Sequence, residues 1–492
     1  MASLSSRYKL GTSIPKPKDF DIRASMYTNA SLATGKYTPI SVSVIAVLVV
    51  AVYASMFRSY NVYEIDTPRS LSFSYNYCVK GIDIDATFGE PFPAGQGGTV
   101  VFGKIAGMVQ CAALAPFNWS LIAANVLSVA GVVLGMAAIF AFLVGQGFSR
   151  FAAVTFCLAL AATEPFVAMA NISRYDYITF LLAVCALVLA AREHLLLAGL
   201  ISVLAIEVHP IGIMGPIYLI AYELSRMVQA RRFRLEFHRV AKLVLGGLLG
   251  LAIYFILHPD TLALWAAVFS NPAGSNMGSI HFLYGYFFEA RAYRHLPELA
   301  VFTACLLVHI WRRDYMQWPF PIIASLATLF IGFFLHHHNY YYAPFWYFPS
   351  FLLVFVTINV AWRAVAVPVL VLVLFVPQYA VKYVKGHKYA DQSELQVARS
   401  AIASRGTDLS DAHIFGDSIF WPVLKDLSFQ WAPSVDPERV PAGPIYLICG
   451  LDPPFFTFEH TCAEELPAFR DIQLIEQFSW ASRKYLIYER RE

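Results

Sequence analysis

Charged residues are scarce in this chain. Asp, Glu, Lys and Arg make up 14% of the 492 residues, whereas a soluble domain carries about 25%. The net charge is only +3, which gives no reason to expect nucleic acid as a partner. Apolar residues reach 58%. The composition therefore excludes an ordinary soluble domain and favours a protein that lies largely in lipid.

Several motifs of soluble enzymes are also missing. No glycine-rich phosphate loop follows a strand, and no GxSxG or HExxH motif occurs. The seven cysteines show no CxxC spacing, and the adjacent histidines at 336–338 lack the ligand spacing of a zinc site. We therefore expect no tightly bound metal among these residues. The chain also shows no visible internal repeat, although transporters usually contain one.

Long apolar runs recur along the first four fifths of the chain. A run of about 17 to 25 residues is long enough to cross a bilayer, and it must be helical because lipid offers no partner to free backbone groups. Hydropathy predicts about eleven transmembrane helices, near residues 40–57, 120–146, 151–170, 175–191, 194–210, 211–228, 239–257, 297–311, 319–336, 343–361 and 363–381.

The basic residues predict how these spans are oriented. Every second connection is rich in arginine, as cytoplasmic connections are, and these connections show no pairing with carboxylates in the sequence. Gly98–Pro116 is better explained as an interfacial helix, because a further span there would place the arginines outside. We predict a cytoplasmic segment at 1–38, a transmembrane domain at 39–381 with a large external loop at 58–118, and an external, periplasmic C-terminal domain at 382–492.

The last 110 or so residues change character. Short strand-like pieces, Ala412–Gly416, Pro444–Cys449 and Lys484–Tyr488, replace the long apolar runs, and a helix-like segment at Ser393–Ala403 begins with a capping-box pattern. This length suffices for a small α/β domain. Cys449 and Cys462 could form a disulfide there in an oxidising compartment, or remain two separate thiols.

Ionisable residues gather at the predicted outer ends of the spans. Such groups are costly near lipid and therefore indicate function. Four groups occur, and they are Glu64 with Asp66, Arg174 with Asp176, Glu207 with His209, and the segment from His336 to Tyr342. A carboxylate can act as general base, and arginine and histidine can hold a leaving phosphate. The set suits sugar transfer from a lipid-phosphate donor.

The order of these motifs resembles the GT-C superfamily of glycosyltransferases. More narrowly, it is similar to the bacterial branch related to protein O-mannosyltransferases and the lipid A aminoarabinose transferase. The motifs are Glu64-Ile65-Asp66 after the first span, Ser173-Arg174-Tyr175-Asp176, His209-Pro210, and the stretch from His338 to Pro344. The resemblance implies a GT-C-like polytopic helical fold in a bacterial inner membrane, a polyprenyl-phosphate-linked sugar donor, and inversion at the anomeric carbon.

Particular residues can be given roles. The resemblance implies those of Asp66, Arg174 and His338, and position beside the spans and side-chain chemistry suggest the others. Asp66 would be the general base, with Glu64 as a second catalytic carboxylate. Arg174, His209 and His338 would bind the donor phosphate. The remaining substrate-binding residues would be Arg69, Asp176, Tyr340 and Tyr341. The acceptor would be a hydroxyl group of a glycan, a lipid or a protein.

Other functions fit parts of the pattern. Asp83 and Asp85 form a DxD that could hold a divalent cation, although a solvated loop is the better explanation. A transporter or flippase for a lipid-linked sugar would also be polytopic. A polysaccharide polymerase or ligase would share the donor. A membrane scaffold with a sensing outer domain would not need the clustered carboxylates, arginine and histidine.

Overall fold

The protein is described here from a computed structural model. The described residues are 38–56, 66–81, 102–229, 237–259, 261, 296–312, 318–334, 342–358, 360–389, 395–405, 412–416, 418–431, 444–450, 472–480 and 483–490. Within them the chain is mostly helical, with one small sheet near the C-terminus. This agrees with the fold class expected from the sequence.

Fourteen helices precede the C-terminal part of the chain in these ranges. They are α1 Thr38–Met56, α2 Asp66–Tyr75, α3 Lys104–Leu114, α4 Leu121–Gly145, α5 Arg150–Ala161, α6 Glu164–Asn171, α7 Asp176–Ala191, α8 Leu195–Val208, α9 Met214–Gln229, α10 Phe237–Leu257, α11 Leu296–Arg312, α12 Phe320–Phe334, α13 Ala343–Thr357 and α14 Val360–Tyr389. A π-helical turn, Asn76–Lys80, follows α2, and short 3-10 turns follow α3 and α8.

Not every apolar helix in the described ranges is long enough to cross a bilayer. Leu121–Gly145, Pro210–Gln229 and Phe237–Leu257 are, and the bent pair α5 and α6 makes a fourth if it is one span. Shorter apolar helices coincide with other predicted spans, so the count of eleven stays a prediction. The described part of the Gly98–Pro116 segment forms an eleven-residue helix, α3, and its expected interfacial position stays a prediction.

The predicted span at 151–170 is broken, which corrects the expectation of one continuous helix. Helices α5 and α6 meet at an angle of 68°. Proline has no N–H and clashes with the carbonyl four residues earlier, and for Pro165 that carbonyl belongs to Ala161. The freed carbonyls accept hydrogen bonds from tyrosines of the first and last long helices. Tyr53 donates to Ala161 over 3.1 Å, and Tyr379 donates to Ala162.

The helices share one large apolar core. Helix α7 packs between α4 and α8, α12 packs on α13 and α9, and α14 packs on α1. Helices α8 and α10 lie so close together that a Cβ atom on Gly246 would be 2.0 Å from the Leu196 carbonyl oxygen. Small residues allow such backbone approach between helices in lipid.

The opposite end of the bundle corrects a second expectation. The basic connections were expected to lack carboxylate partners. Instead Arg239, which is 5% exposed, lies 2.8 Å from Glu223 and also pairs with Glu193. Arg226 joins the same group. These pairs neutralise a buried guanidinium, which would otherwise be costly.

The C-terminal part forms a five-stranded sheet with two short helices. The helices are α15 Gln396–Ala403 and α16 Trp421–Leu424, and the strands are β1 His413–Gly416, β2 Ser428–Trp431, β3 Ile445–Gly450, β4 Gln473–Trp480 and β5 Arg483–Arg490. The three quoted strand predictions are confirmed as β1, β3 and β5. Within the described residues α15 begins at Gln396, with Leu395 at its N-cap position, and the predicted cap Ser393 lies outside them.

The sheet is mixed, with strand order β2-β1-β3-β5-β4. Strand β1 runs parallel to β2 and β3, while β5 pairs antiparallel with β3 and β4. All six residues of β3 are buried, as expected for a central strand covered on both faces. The domain limits proposed from the sequence stay a prediction, and α14 runs past residue 381 to Tyr389.

Candidate active site

The structure describes only part of the set of predicted site residues. Asp66 begins α2 and Arg69 lies in its first turn, but their side chains are outside the described part. Glu64, His338, Tyr340 and Tyr341 lie outside the described residues altogether. The same holds for Asp83 and Asp85. Arg174, Asp176 and His209 are described in full, and their surroundings define the site.

The start of α2 is fixed against the segment that carries Arg174. The Ser173 N–H donates to Thr67 Oγ1 over 3.3 Å, and the Tyr175 hydroxyl donates to the Ser70 carbonyl over 3.2 Å. Ser173 Oγ donates in turn to Asn125 of α4 over 3.2 Å. Two motifs separated by more than one hundred residues are thereby adjacent. Asp66 directly precedes Thr67, and Ser173 directly precedes Arg174, so this hydrogen bond joins the two motifs one residue from each.

Arg174 is a buried cation at this junction. Its side chain is 10% exposed, and its Nε lies 2.9 Å from Oδ2 of Asp176, which is itself buried. Its Nη2 donates to the Tyr342 hydroxyl over 3.2 Å, and its guanidinium carbon lies 5.5 Å from the centre of that ring. Asp176 therefore orients the guanidinium, and the tyrosine ring supports it by a cation–π contact.

His209 contacts the same tyrosine hydroxyl as Arg174. Helix α8 ends before Pro210, and His209 is in extended backbone with φ −160°. Its Nδ1 accepts from the Ile211 N–H over 3.2 Å, and its Nε2 lies 3.5 Å from the Tyr342 hydroxyl. Because Nδ1 accepts, a neutral His209 carries its proton on Nε2. That N–H is directed to the side where Arg174 lies.

Aromatic rings enclose this corner. The His209 ring packs against Tyr342, with centroids 5.4 Å apart, and against Phe102, with centroids 5.3 Å apart. The corner thus combines two nitrogen donors with three flat rings. Such a combination can hold an anion and shield its charge from bulk water, which strengthens electrostatic contacts.

Glu207 has a structural role at the end of α8. It is fully buried, and its Oε1 accepts from the Lys104 N–H over 2.9 Å, at the first residue of α3. The same oxygen lies 2.9 Å from Nε2 of His258. Its backbone carbonyl accepts from the Gly103 N–H over 2.6 Å. A carboxylate at a helix N-terminus satisfies free N–H groups and the helix dipole.

Gly103 allows α3 to start at this place. Its φ is +89°, in the left-handed region, and a Cβ atom there would come within 2.7 Å of the Tyr175 ring. Only glycine avoids both penalties. The start of α3 is therefore enclosed between the Ser173–Asp176 segment and the end of α8.

Three side chains near the site were missed in the sequence. Tyr342 occurs in the predicted aromatic stretch but was not selected, and it contacts both Arg174 and His209. His258 and Phe102 were not considered. His258 is a titratable residue at the end of a long apolar helix, a position that already indicates function or a buried pair. Phe102 gives no sequence signal that separates it from other aromatic residues.

The segment between α1 and α4 is cross-linked by a disulfide that the sequence did not predict. Cys78 in the π-helical turn bonds to Cys111 of α3, with Cα atoms 6.0 Å apart. Cys449 is also disulfide-bonded, and the predicted partner Cys462 lies outside the described residues. Disulfides form in oxidising compartments, so both observations agree with a location outside the cytoplasm for these parts of the chain.

The described side chains suggest no metal centre. Among the residues that the structure covers, no group of three or more His, Cys, Asp or Glu side chains could hold a metal ion. The DxD of the external loop is not among those residues. A divalent cation at Asp83 and Asp85 therefore stays a hypothesis.

The fold has counterparts among solved structures. One is a crystal structure of ArnT from Cupriavidus metallidurans bound to undecaprenyl phosphate, with a TM-score of 0.55 and 16% identity over 90% of this chain and 98% of that chain. Another is the apo state of the same protein, with a TM-score of 0.52, 14% identity and the same coverage. The likeness shows that this chain shares the fold of these structures, in agreement with the resemblance to the lipid A aminoarabinose transferase branch.

Comparisons by sequence give no further relatives. No protein-family model matches the chain, and no curated protein matches it. Identities of 16% and 14% show the fold alone. Function therefore has to be argued from the site.

Proposed function

We propose that this chain is an integral-membrane glycosyltransferase that moves a sugar from a polyprenyl-phosphate donor to a hydroxyl acceptor at the outer face of the membrane. The observation that supports this most directly is the junction around Tyr342. It joins the buried Arg174 to His209, and the Thr67–Ser173 contact fixes the start of the Asp66 helix beside it. The likeness to ArnT bound to undecaprenyl phosphate supports the donor class.

The proposed reaction has a simple proton and electron balance. Asp66 takes the proton of the acceptor hydroxyl as that oxygen attacks the anomeric carbon. The bond from this carbon to the phosphate oxygen breaks, and the electron pair leaves with the polyprenyl phosphate. Attack from the face opposite the leaving group inverts the configuration. Arg174, His209 and His338 stabilise the phosphate as its charge grows.

Other residues would position the two substrates. Asp176 holds the guanidinium of Arg174 in place through the 2.9 Å ion pair. We assign Arg69, Tyr340 and Tyr341 to substrate binding, since tyrosine rings pack on sugars and guanidinium groups bind sugar oxygens or phosphate. Glu64 is the second candidate base. The acceptor is a hydroxyl of a glycan, a lipid or a protein.

We place the protein in the inner membrane of a bacterium as a multi-pass protein, with its N-terminus in the cytoplasm and its C-terminal domain in the periplasm. Basic connections between the predicted spans support this orientation. The disulfides at Cys78–Cys111 and at Cys449 agree with it, because both occur in segments assigned to the oxidising side.

One observation favours a transporter of lipid-linked sugar as a second candidate. Helices α5 and α6 form a broken span with a 68° bend, and broken helices are common at transporter binding sites. In this chain, however, the freed carbonyls of Ala161 and Ala162 accept from Tyr53 and Tyr379. The break is thus closed by protein groups, which favours a structural role.

The proposal is tested with purified protein in detergent, radiolabelled polyprenyl-phosphate sugars and a membrane extract as acceptor source. Asp66→Asn is the matched control, because the amide is nearly isosteric but a poor base. We expect transfer of label by the unmodified protein and a rate lower by about a hundred- to ten-thousand-fold in Asp66→Asn.

Two outcomes would contradict the proposal. Full transfer by Asp66→Asn would exclude this residue as the base. No transfer from any donor, together with label crossing the bilayer of reconstituted vesicles, would instead identify the transporter.

A further inference from the structure

The far end of α2 is held by the C-terminal domain. The Tyr75 ring packs edge-on against Trp421 of α16, with centroids 5.9 Å apart and an interplanar angle of 81°. It also packs edge-on against Trp119, with centroids 5.2 Å apart. The Tyr75 hydroxyl donates to Asp426 Oδ1 over 3.3 Å. Edge-to-face pairs of this kind contribute beyond the area they bury.

The phenol of Tyr75 stays a donor under ordinary conditions. Burial, followed by the charge and hydrogen bond of Asp426, raises the pKa of its hydroxyl above the usual value. Asp426 is held in turn by Arg399, whose Nη1 lies 3.3 Å from Oδ2, and the same nitrogen donates to the Val423 carbonyl over 2.7 Å. The short segment from Trp421 to Asp426 is therefore anchored within its own domain.

Two lysines strengthen the same junction between the domains. Lys80, just beyond α2, donates to the Leu427 carbonyl over 3.5 Å. Lys425 donates in the opposite sense, to the Asn118 carbonyl before α4. One apolar cluster joins the helical part to the C-terminal domain. The helical part contributes Leu71, Tyr75, Leu114 and Trp119, and the C-terminal domain contributes Leu395, Ile419 and Trp421 among others.

Helix α2 is short enough to transmit a constraint along its length. It has ten residues, which correspond to about 15 Å. Asp66 is its first residue and Tyr75 its last. Its first turn is fixed by the Thr67–Ser173 contact, and its middle by the Tyr175–Ser70 contact. The third support, at Tyr75, comes from Trp119 before α4 and from Trp421 and Asp426 of the C-terminal domain.

From this arrangement we propose that the C-terminal domain is a brace for the Asp66 helix, with Tyr75, Trp421 and Asp426 as positioning residues. The proposal rests on the proposed function, in which Asp66 is the base. Loss of the brace would let α2 shift about its remaining contacts. A displacement of about 1 Å at a reacting group can cost about a hundredfold in rate.

The first test is Trp421→Ala in the full-length protein. We expect kcat for sugar transfer to fall by about ten- to a hundredfold, while KM for the donor stays within about twofold, since Arg174 and His209 keep their contacts. Trp421→Phe keeps an aromatic ring against Tyr75 and should restore most of the rate. Equal losses of kcat in Trp421→Ala and Trp421→Phe would contradict the brace.

A matched control separates positioning from general damage to the domain. Phe478 of β4 is also buried, and its ring contacts are with Phe420 and Tyr485 inside the domain. Phe478→Ala should lower the unfolding temperature as Trp421→Ala does, yet leave kcat near that of the unmodified protein. An equal loss of kcat in Phe478→Ala would show that the domain matters only for stability.

The decisive measurement is a double-mutant cycle with Asp66→Asn. If Trp421 acts through Asp66, Trp421→Ala should reduce the residual rate of Asp66→Asn by less than twofold. Independent, multiplicative losses would overturn the proposal. If Asp66→Asn alone leaves the rate unchanged, the proposed function fails first, and this result is distinct from failure of the brace.

Milder variants keep the test open if Trp421→Ala does not fold. Tyr75→Phe removes only the hydroxyl that donates to Asp426, and Asp426→Ala removes its acceptor. Each should lower kcat severalfold, and the double variant should lower it no further than either single variant. Unchanged kcat in both single variants would exclude a role for this hydrogen bond in positioning α2.

Discussion

At the scale of single residues, the candidate site depends on buried polar side chains that orient one another. Arg174 has Asp176 on one side and Tyr342 on the other. His209 has its Nδ1 engaged by the Ile211 N–H, so its Nε2 is directed to Tyr342. A group fixed in this way loses little entropy when it binds a phosphate. Preorganised donors of this type are effective in stabilising developing charge.

Arg174→Ala and Arg174→Lys test the role of the guanidinium. We expect Arg174→Ala to raise KM for the polyprenyl-phosphate donor by more than KM for the acceptor. Arg174→Lys should recover only part of the affinity, because an ammonium lacks the planar fork that binds phosphate and carboxylate bidentately. Initial rates at varied donor and acceptor concentrations give both constants. A larger change in KM for the acceptor would assign Arg174 to the acceptor side instead.

Glu207→Ala tests the buried carboxylate at the end of α8. The change removes an acceptor from the Lys104 and Ile105 N–H groups and from His258. Each buried group left unsatisfied costs about 1–3 kcal/mol, so the thermal unfolding midpoint should fall by several degrees. Glu207→Gln keeps one acceptor oxygen and should lose less. Equal midpoints for Glu207→Ala and the unmodified protein would show that water replaces the carboxylate.

At the scale of the elements, breaks and close approaches in the helices position the site. Pro210 ends α8 and brings His209 into extended backbone. Pro165 ends the regular course of α5 near Ala161, and tyrosines from α1 and α14 close the gap. In lipid each freed carbonyl needs such a partner. Where a proline interrupts a helix, side chains from distant parts of the chain therefore supply hydrogen bonds to the freed carbonyls.

The contact between α8 and α10 is tested by two adjacent glycines. A Cβ atom on Gly246 would lie 2.0 Å from the Leu196 backbone oxygen, whereas one on Gly247 would meet only a Val203 methyl group at 3.7 Å. Gly246→Ala should destabilise the protein by about 1–3 kcal/mol through overpacking. Gly247→Ala should be close to neutral. Thermal unfolding in detergent measures both, and equal effects would contradict the close packing of these helices.

At the scale of the whole molecule, the segment between α1 and α4, the helical bundle and the C-terminal domain form a connected structure. The disulfide Cys78–Cys111 joins the end of the α2 segment to α3. Helix α3 begins on Glu207 of α8, and Tyr75 of α2 contacts Trp421 of the C-terminal domain. The candidate site therefore lies where three parts of the chain meet.

Cys78→Ser with Cys111→Ser tests the disulfide and the orientation together. The bond has a sequence separation of 33 residues, for which loop entropy predicts a loss of about 3–4 kcal/mol. In intact cells under reducing conditions, a membrane-impermeant maleimide should label Cys78 and Cys111 of the unmodified protein. Peptide mapping should show that the double serine variant loses the label at these two positions and keeps any label on the cysteines of the C-terminal domain. Labelling only after the membrane is opened would place this loop on the cytoplasmic side.

The sequence by itself determined that most of the chain lies in lipid, and it also determined the class of fold and the candidate chemistry. Low charge and long apolar runs are local properties, and lipid forces such runs into helices whatever their neighbours are. The strands at 413–416, 445–450 and 483–490 and the short helix at 104–114 were likewise readable from local pattern. Arg174, Asp176 and His209 were selected because ionisable groups beside lipid are costly and therefore indicate function.

Only the tertiary structure decided which of these groups meet. The contacts of Tyr342, of His258 with Glu207 and of Tyr75 with Trp421 join residues far apart in the chain. The pairing of Cys78 with Cys111 and the carboxylates around Arg239 have the same origin. Helical periodicity fixes a side chain's direction within one helix, but not the helix it faces. That choice depends on packing of the whole bundle, which no local pattern encodes.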